Sequence, residues 1–572
     1  MFFLLSSALP ALTPARGHRS WLRWVALLFL MVVLARPASA LQGAQGVHDP
    51  STIVKEGNKY WIFATGQGVY SMYSTDLVNW TAGPRPVFVN NNYPSWINTK
   101  VPGFQGNFWA PECIFMNGKY YLYYSCSTFG SKISAIGLAT NVTLDPANPS
   151  YNWVDEGEVV SSNAGSSANA IDPAIFKDTN GDVWLSYGSF FGGLRVQQLN
   201  ATTGKPLAGS TAVAVGAGNT EAAYLTKRGN FYYLFMNRGA CCNGLNSTYY
   251  IVVGRSTSPT GPFLDQNGVN LNTNTGGSVV LNVSGRYVGP GHAGIFEEGG
   301  VSYFSHHYYD GDDNGAPKLG LAKLTWDAAN WPVVSRDWVT PGRYEIASQN
   351  SSLVWQAQGC TGAAGEAITQ GTRTGQPCQQ WDVVSAGDGE YRIENAVSSM
   401  AAGVVGCSSA NGAALELATS INNPCRLFRI DRANDGTLVF ASANGNRVVE
   451  VPSASTAPGT RLALFNYNGC LCQRWRLTVN GVLGTAAAQP LRDVSIYPVP
   501  AVQGHFTVDL GAGKAAEATT VAVSNLTGQV VFRQVFGAQQ ARLSVEAGLK
   551  PGIYLVQVER GGRWHSQKLS VQ

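Results

Sequence analysis

Asp49 and Asp172 each stand before a proline, in His48-Asp49-Pro50 and Ile171-Asp172-Pro173, while Glu221 lies in Thr220-Glu221-Ala222 and His292 in Gly291-His292-Ala293. Two carboxylates facing one another suit hydrolysis of a glycosidic bond, because one can protonate the leaving oxygen while the other activates a water. Inversion at the reacting carbon needs them roughly 6.5 to 9.5 Å apart, and a third carboxylate nearby raises the pKa of the acid by charge repulsion. Taken singly, each residue has an ordinary structural role: Asp-Pro starts turns, a lone Glu is a surface acid, and a histidine among aromatics is a satisfied core residue. Convergence of all four on one point would burden folding, so a shared position in a repeat favours chemistry.

Such a repeat is present. From about residue 48 to 308 one pattern recurs five times: an alternating apolar strand, a tight polar turn and an aromatic-rich second strand. The copies run from His48-Asp49-Pro50 to Thr65, Trp109-Ala110-Pro111 to Cys126, Ile171-Asp172-Pro173 to Ser189, Thr220-Glu221-Ala222 to Arg238, and Gly291-His292-Ala293 to His306. Asn117-Gly118 and Asn180-Gly181 supply the strongest hairpin-turn signal. Spacings of about 50 to 70 residues allow four strands per copy, which predicts an all-β, five-bladed β-propeller, with two packed sheets as the rival. The first strand of each blade lines a central channel, so Asp49, Ala110, Asp172, Glu221 and His292 are expected at equivalent positions around one mouth.

These residues resemble glycoside hydrolase family 43, and within it the endo-α-1,5-L-arabinanases. The resemblance rests on His48-Asp49-Pro50-Ser51, Phe108-Trp109-Ala110-Pro111-Glu112, Ala170-Ile171-Asp172-Pro173, Thr220-Glu221-Ala222 and Gly289-Pro290-Gly291-His292-Ala293-Gly294, and spans about 300 residues. It implies Asp49 as general base, Glu221 as general acid, Asp172 as pKa modulator, and His292 as ligand of a calcium ion whose other ligands are mostly water. Calcium prefers oxygen donors, so the metal rests on the resemblance alone; the alternative for His292 is a hydrogen bond to a carboxylate. Trp109, Phe129 and Phe190-Phe191 lie just beyond strand ends, where aromatic faces can stack on sugar rings. Asn169 and Ser189 resemble family positions that hydrogen-bond arabinose. The adjacent Cys241-Cys242 resembles a vicinal pair found in part of the family, with two reduced thiols as the alternative. Cys113 and Cys126 are out of register as a hairpin pair and read as free and buried.

Composition agrees with a modular exported protein. The chain has 572 residues, too long for one ordinary core, and its 65 glycines, 11% aromatic and 13% charged residues suit turn-rich β modules rather than helix bundles. Arg16, Arg19 and Arg23, an apolar run from Trp24 to Ala35 and Ala38-Ser39-Ala40 form the three parts of a secretory signal peptide over residues 1–40. The apolar run is shorter than the roughly 20 residues of a spanning helix, and no other stretch reads as transmembrane. Removing that segment takes four arginines and no acid from a net charge of +4, leaving a neutral chain with no electrostatic case for nucleic acid. A neutral polysaccharide fits, and no stretch asks for a nucleotide or redox cofactor.

Two further modules follow a catalytic domain placed at 41–342. Over 343–480, Gln379-Gln380-Trp381, Arg426-Leu427-Phe428 and Gln473-Arg474-Trp475 recur at intervals of 47, as do Cys378, Cys425 and Cys472, which marks a threefold domain. This resembles the ricin-type β-trefoil, a sugar-binding module, which implies Cys360–Cys378 and Cys407–Cys425 bridges; the third unit has Ala454 in place of its first cysteine. Only that unit keeps both an acidic and an aromatic sugar-binding position, giving Glu450, Phe465 and Asn468 as a candidate sugar site, with a spacer role as the alternative. A small, polar linker is expected at 481–490. Residues 491–572 resemble a type IX secretion C-terminal sorting domain of β-sandwich-like character, through Ile496-Tyr497-Pro498-Val499-Pro500 and Leu549-Lys550-Pro551-Gly552-Ile553-Tyr554, with Val499 replacing the usual asparagine. The expectation is a secreted inverting hydrolase of arabinan, exported by the type IX machinery. An exo-acting α-L-arabinofuranosidase or β-xylosidase and a non-catalytic carbohydrate-binding protein are the alternatives.

Overall fold

The computed structural model describes residues 41–479, 494–511, 519–525, 530–538, 540–560 and 563–572, so the signal peptide of 1–40 and the linker of 481–490 lie outside the described residues. Five sheets succeed one another along 42–335, antiparallel except where Gln42–Gly43 pairs parallel with Asn79–Ala82. Their first strands lie at Val54–Glu56, Asn107–Met116, Ala174–Lys177, Glu221–Arg228 and Tyr287–Glu298, each paired with the strand that follows it. The second strands are buried on both faces, as in Lys119–Cys126 and Phe231–Arg238, because each blade is covered by a neighbour on either side. The apolar interior is therefore divided into five clusters, one between each adjacent pair of blades. Phe63 meets Phe108 between blades one and two, Tyr123 meets Leu185 between two and three, and Leu194 meets Leu234 between three and four. Phe235 meets Phe304 between four and five, and Tyr303 meets Ile62 where five returns to one. The ring is tied shut by the segment before blade one: Val47 N donates to Pro317 O and Leu319 N to Gln45 O of that segment.

The threefold repeat folds as one twelve-stranded sheet system from Gly342 to Val479. Trp381, Phe428 and Trp475, the residues spaced by 47, are fully buried in one core with Trp355. Cys360 pairs with Cys378 and Cys407 with Cys425. In the third unit Ala454 keeps the left-handed backbone of Cys360 and Cys407 (φ 51°, 52° and 53°), and Cys472 pairs instead with its near neighbour Cys470. Cys113 and Cys126 are free and buried. The C-terminal segment forms a separate seven-stranded system around Val508, Val521 and Val556.

The trefoil is docked on blade one. Val78 packs against Ala433, Val439 and Ala441, and beside it Asp76 Oδ2 accepts hydrogen bonds from Arg474 Nη2 and Tyr467 Oη, both at 2.7 Å. Oδ1 of the same carboxylate accepts the N–H groups of Val78 and Asn79. The Arg474 side chain is only 7% exposed, so Asp76→Ala would strand a buried cation. The expected cost is about 3 to 5 kcal/mol at this contact. Calorimetry should then resolve propeller and trefoil as separate transitions, where the unsubstituted protein melts as one.

Candidate active site

Each first strand enters its blade through a β-bulge. Trp109 and Glu112 on blade two face Ser125 and Tyr123, so three steps on one strand match two on its partner; Glu221 to Tyr224 and Gly291 to Gly294 repeat the shift. A bulge turns one side chain out of the ladder and aims it into the channel. The prolines at 50, 111 and 173 fall within this unpaired stretch, where a missing N–H costs no ladder bond.

At every bulge one residue adopts left-handed backbone: Asp49, Ala110, Asp172, Ala222 and His292, with φ between 40° and 64°. This corrects the expected register. Ala222, not Glu221, is equivalent to Asp49, Asp172 and His292; Glu221 shares the preceding position with His48, Trp109, Ile171 and Gly291. The Thr-Glu-Ala motif of copy four is offset by one from its acid, and the longer glutamate side chain reaches the channel from one residue earlier.

The five left-handed residues are stitched into a ring by side chains from the second strand of the preceding blade. Thr65 Oγ1 accepts the N–H of Ala110 (2.9 Å), Ser125 Oγ that of Asp172 (2.9 Å), Asn237 Oδ1 that of His292 (3.0 Å), and His307 Nδ1 that of Asp49 (3.1 Å). Blade three carries Gly188 at this place, since a Cβ there would meet Gly193 O at 2.4 Å. The N–H of Ala222 turns instead to Asp172 Oδ2 (3.1 Å). The sequence reading missed these partners, although they end the same five hairpins and all but Gly188 are polar.

The ring brings Asp49, Asp172, Glu221 and His292 together. Asp172, Glu221 and His292 are 9%, 8% and 7% exposed. Asp49 Oδ2 is saturated by His48 Nδ1 (2.8 Å) and Thr65 Oγ1 (2.7 Å), which leaves Oδ1 free to take a proton. Burial disfavours charge on Asp49, but the charge and hydrogen bond of His48 outweigh it and hold the carboxyl below the usual range. Burial keeps His307 and His292 neutral, and His307 Nδ1 already accepts the Asp49 N–H, so its 3.5 Å approach to Oδ1 is not an ion pair. His292 Nδ1 lies 3.7 Å from Oδ1, beyond hydrogen-bond reach. His48, Asp49 and His307 cluster as metal ligands would, yet these internal contacts already occupy the Nδ1 atoms of both histidines.

Glu221 behaves oppositely. Burial raises its pKa, Tyr249 Oη donating to Oε1 at 2.6 Å partly offsets this, the Asp49 charge raises it again, and the result is about 7. Asp172 is also pushed up, by burial and then by the charges of Glu221 and Asp49, against the Ala222 N–H that favours its ionised form.

The loops leaving Ser125 and Gly188 open on the same face. Phe129 there is 88% exposed, Phe190 and Phe191 are 39% exposed, and Trp109 is half-buried beside Ala110. Asn169 and Ser189 are buried and bonded to each other, Oγ to Oδ1 at 2.9 Å. Cys241 and Cys242 are joined in a disulfide. A groove of about 450 Å³ runs outward from His48 and Thr65 over blade one, past Gln67, Tyr70 and Arg85. On the trefoil, Glu450, Phe465 and Asn468 line one cavity of about 650 Å³, with Glu450 Oε2 accepting from Gln473 Nε2 at 3.2 Å.

Residues 43–332 match the model of Glycosyl hydrolases family 43. The chain belongs to that family. Its family 43 domain is 38% identical over 340 residues to the extracellular exo-α-(1→5)-L-arabinofuranosidase ArbA of Cellvibrio japonicus, covering 56% of this chain and 94% of that protein. It is also 38% identical over 313 residues to the extracellular endo-α-(1→5)-L-arabinanase 1 of Bacillus subtilis, covering 53% and 93%. A solved structure of the Cellvibrio cellulosa α-L-arabinanase is 38% identical, with a TM-score of 0.49, over 51% of this chain and 96% of that one. Beyond the family 43 domain, residues 327–418 and 389–465 match a ricin-type β-trefoil lectin-like domain, and 495–572 a secretion system C-terminal sorting domain. No helix among the described residues is long and apolar enough to cross a membrane.

The ring itself can be tested. Ser125→Ala leaves the Asp172 N–H without its partner, an expected loss of about 1 to 3 kcal/mol. Thermal denaturation should show the propeller transition lowered, with the trefoil transition unmoved once the Asp76 contact is also removed.

Proposed function

We propose that the chain is a secreted, endo-acting, inverting hydrolase of α-1,5-linked arabinan. The observation that carries this reading is the unlike bonding of two carboxylates at one channel mouth: Asp49 Oδ2 takes donors from His48 and Thr65, and its carboxyl is held low, whereas Glu221 is buried with the Tyr249 donor, and its carboxyl is pushed up to about 7. In this reading Asp49 Oδ1 takes a proton from water as the water oxygen bonds to the anomeric carbon. Glu221 gives its proton to the leaving oxygen as the glycosidic bond breaks. Asp172 acts as modulator, its carboxyl pushed up by burial and by the neighbouring charges of Glu221 and Asp49, and is held in place through Ser125 and Ala222. Trp109, Phe129 and Phe191 would stack on sugar rings, and the Asn169–Ser189 pair would meet hydroxyl groups.

Both relatives are named for α-(1→5)-L-arabinosyl linkages, which supports arabinan, but they divide between exo and endo action. The endo reading follows the relatives named for endo action, the Bacillus subtilis arabinanase and the probable arabinan endo-1,5-α-L-arabinosidase A of Aspergillus fumigatus. The Glu450–Phe465–Asn468 cavity supports sugar binding by the third trefoil unit, and the C-terminal domain supports export by the type IX machinery.

His292 fits one protein ligand of a calcium ion: burial keeps its imidazole neutral, so a lone pair is available, and no carboxylate lies within hydrogen-bond reach to take it. Bound calcium would add positive charge beside the three carboxylates. Calcium should then raise the melting temperature of the propeller, and His292→Ala should abolish that rise; an equal rise in the variant would remove His292 from the site.

Linear debranched arabinan should yield mixed short oligomers with inverted anomeric configuration, and Glu221→Gln should yield none. Monomer alone would favour the exo reading, and no product would favour a binding role. Because Glu221 must be protonated and Asp49 ionised, kcat/KM should hold through the mildly acidic range and fall about tenfold per pH unit above about 7.

A further inference from the structure

Asp49 is reached by a hydrogen-bonded chain that begins on the disulfide loop of blade four. We propose that His48 and Tyr309 are positioning residues that lock the Asp49 carboxylate with Oδ1 toward the channel, and that the Cys241–Cys242 loop anchors them. The inference rests on the reading of Asp49 as general base.

The backbone N–H of Cys242 can only donate, and it lies 2.7 Å from Tyr309 Oη, which therefore accepts there. The Tyr309 oxygen keeps a second lone pair and its own proton, so it can pair with His48 Nε2, 2.6 Å away, whether the ring is neutral or protonated. In either state Nδ1–H faces Asp49 Oδ2 at 2.8 Å; burial opposes a charged ring, but the Asp49 charge and hydrogen bond raise the His48 pKa. The loop amide thus fixes the Tyr309 oxygen, and through it the ring orientation that donates to the carboxylate. The plane of the ring is set by stacking on His307, with centroids 4.1 Å apart and 23° between planes. His307 in turn accepts the Asp49 N–H, so the same residue holds both the backbone of Asp49 and the ring that orients its side chain.

This chain joins blades four, five and one. Tyr309 is buried and lies two residues beyond His307 on the second strand of blade five, whereas Cys242 is exposed and left-handed, with φ 63°. Thr65 alone gives Asp49 Oδ2 one donor, about which the carboxylate can turn; His48 adds the second and fixes its plane. Misplacement of a reacting group by about 1 Å can cost about 10²-fold in rate, so the rotation is significant. Tyr309 is buried and bonded to His48 and to the Cys242 amide, so its loss should act on turnover through Asp49.

The test uses the full-length chain with two readouts. In NMR of ¹⁵N-histidine-labelled protein, the His48 Nδ1–H hydrogen-bonded to Asp49 should give a slowly exchanging downfield proton signal, and Tyr309→Phe or the double variant Cys241→Ala/Cys242→Ala should broaden or remove it. On linear arabinan, Tyr309→Phe should lower kcat by about 10-fold with KM within about twofold. The cysteine double variant should do the same, and combining the two should lower kcat no further. An unchanged Nδ1–H signal in Tyr309→Phe, or independent additive losses from Tyr309 and the cysteine pair, would overturn the proposal. If the unsubstituted chain leaves arabinan uncut, the functional reading fails, and the Nδ1–H measurement still decides whether the chain of bonds exists.

Discussion

Every blade of this propeller holds a non-glycine residue in left-handed backbone where its first strand meets the channel, and that conformation costs about 1 to 3 kcal/mol wherever the surroundings do not enforce it. What enforces it here is the partner on each N–H, a side chain of the preceding blade in four cases and the Asp172 carboxylate in the fifth. The contact is cyclic, so no blade sets its own bulge. The geometry of the channel mouth is a property of the closed ring, and the carboxylates inherit their placement from it.

The exception on blade three shows how structure and chemistry are combined. Because Gly188 has no side chain to offer, Asp172 takes over the bond to Ala222 and becomes both a strut of the ring and a neighbour of Glu221. Asp49 also has two duties, its backbone held by His307 and its Oδ2 by His48 and Thr65. Glu221 lies outside the left-handed set and keeps one strong donor, Tyr249, within an otherwise desolvating site. Burial with few donors raises one carboxyl, and burial with several lowers another.

The trefoil follows the same logic of repetition with one unit altered. Its buried Trp381, Phe428 and Trp475 maintain the threefold core, and the third unit departs from the others in having Ala454 for a cysteine and in retaining Glu450 and Phe465. The tie through Arg474, Tyr467 and Asp76 comes from this same unit, so the surface that keeps the sugar-type residues is also fastened to blade one.

Much of this was legible in the sequence, because repetition is a one-dimensional signal. Five recurring hairpins, two of them with Asn-Gly turns, fix the blade count, intervals of 47 fix the trefoil, and Asp49, Asp172, Glu221 and His292 can be placed at strand starts from their motifs. The register at copy four was not legible: Thr220-Glu221-Ala222 lacks the proline that marks copies one to three, and only the bulge shows that Ala222 is the left-handed residue. Nor were Thr65, Ser125, Asn237 and His307 visible as a set, since their meaning lies in bonds between blades far apart in the chain. Local pattern determined which elements form and which residues reach the channel. Only closure of the ring decided what each carboxyl is bonded to, and hence which keeps its proton, because pKa depends on neighbours from other blades and not on neighbours in sequence.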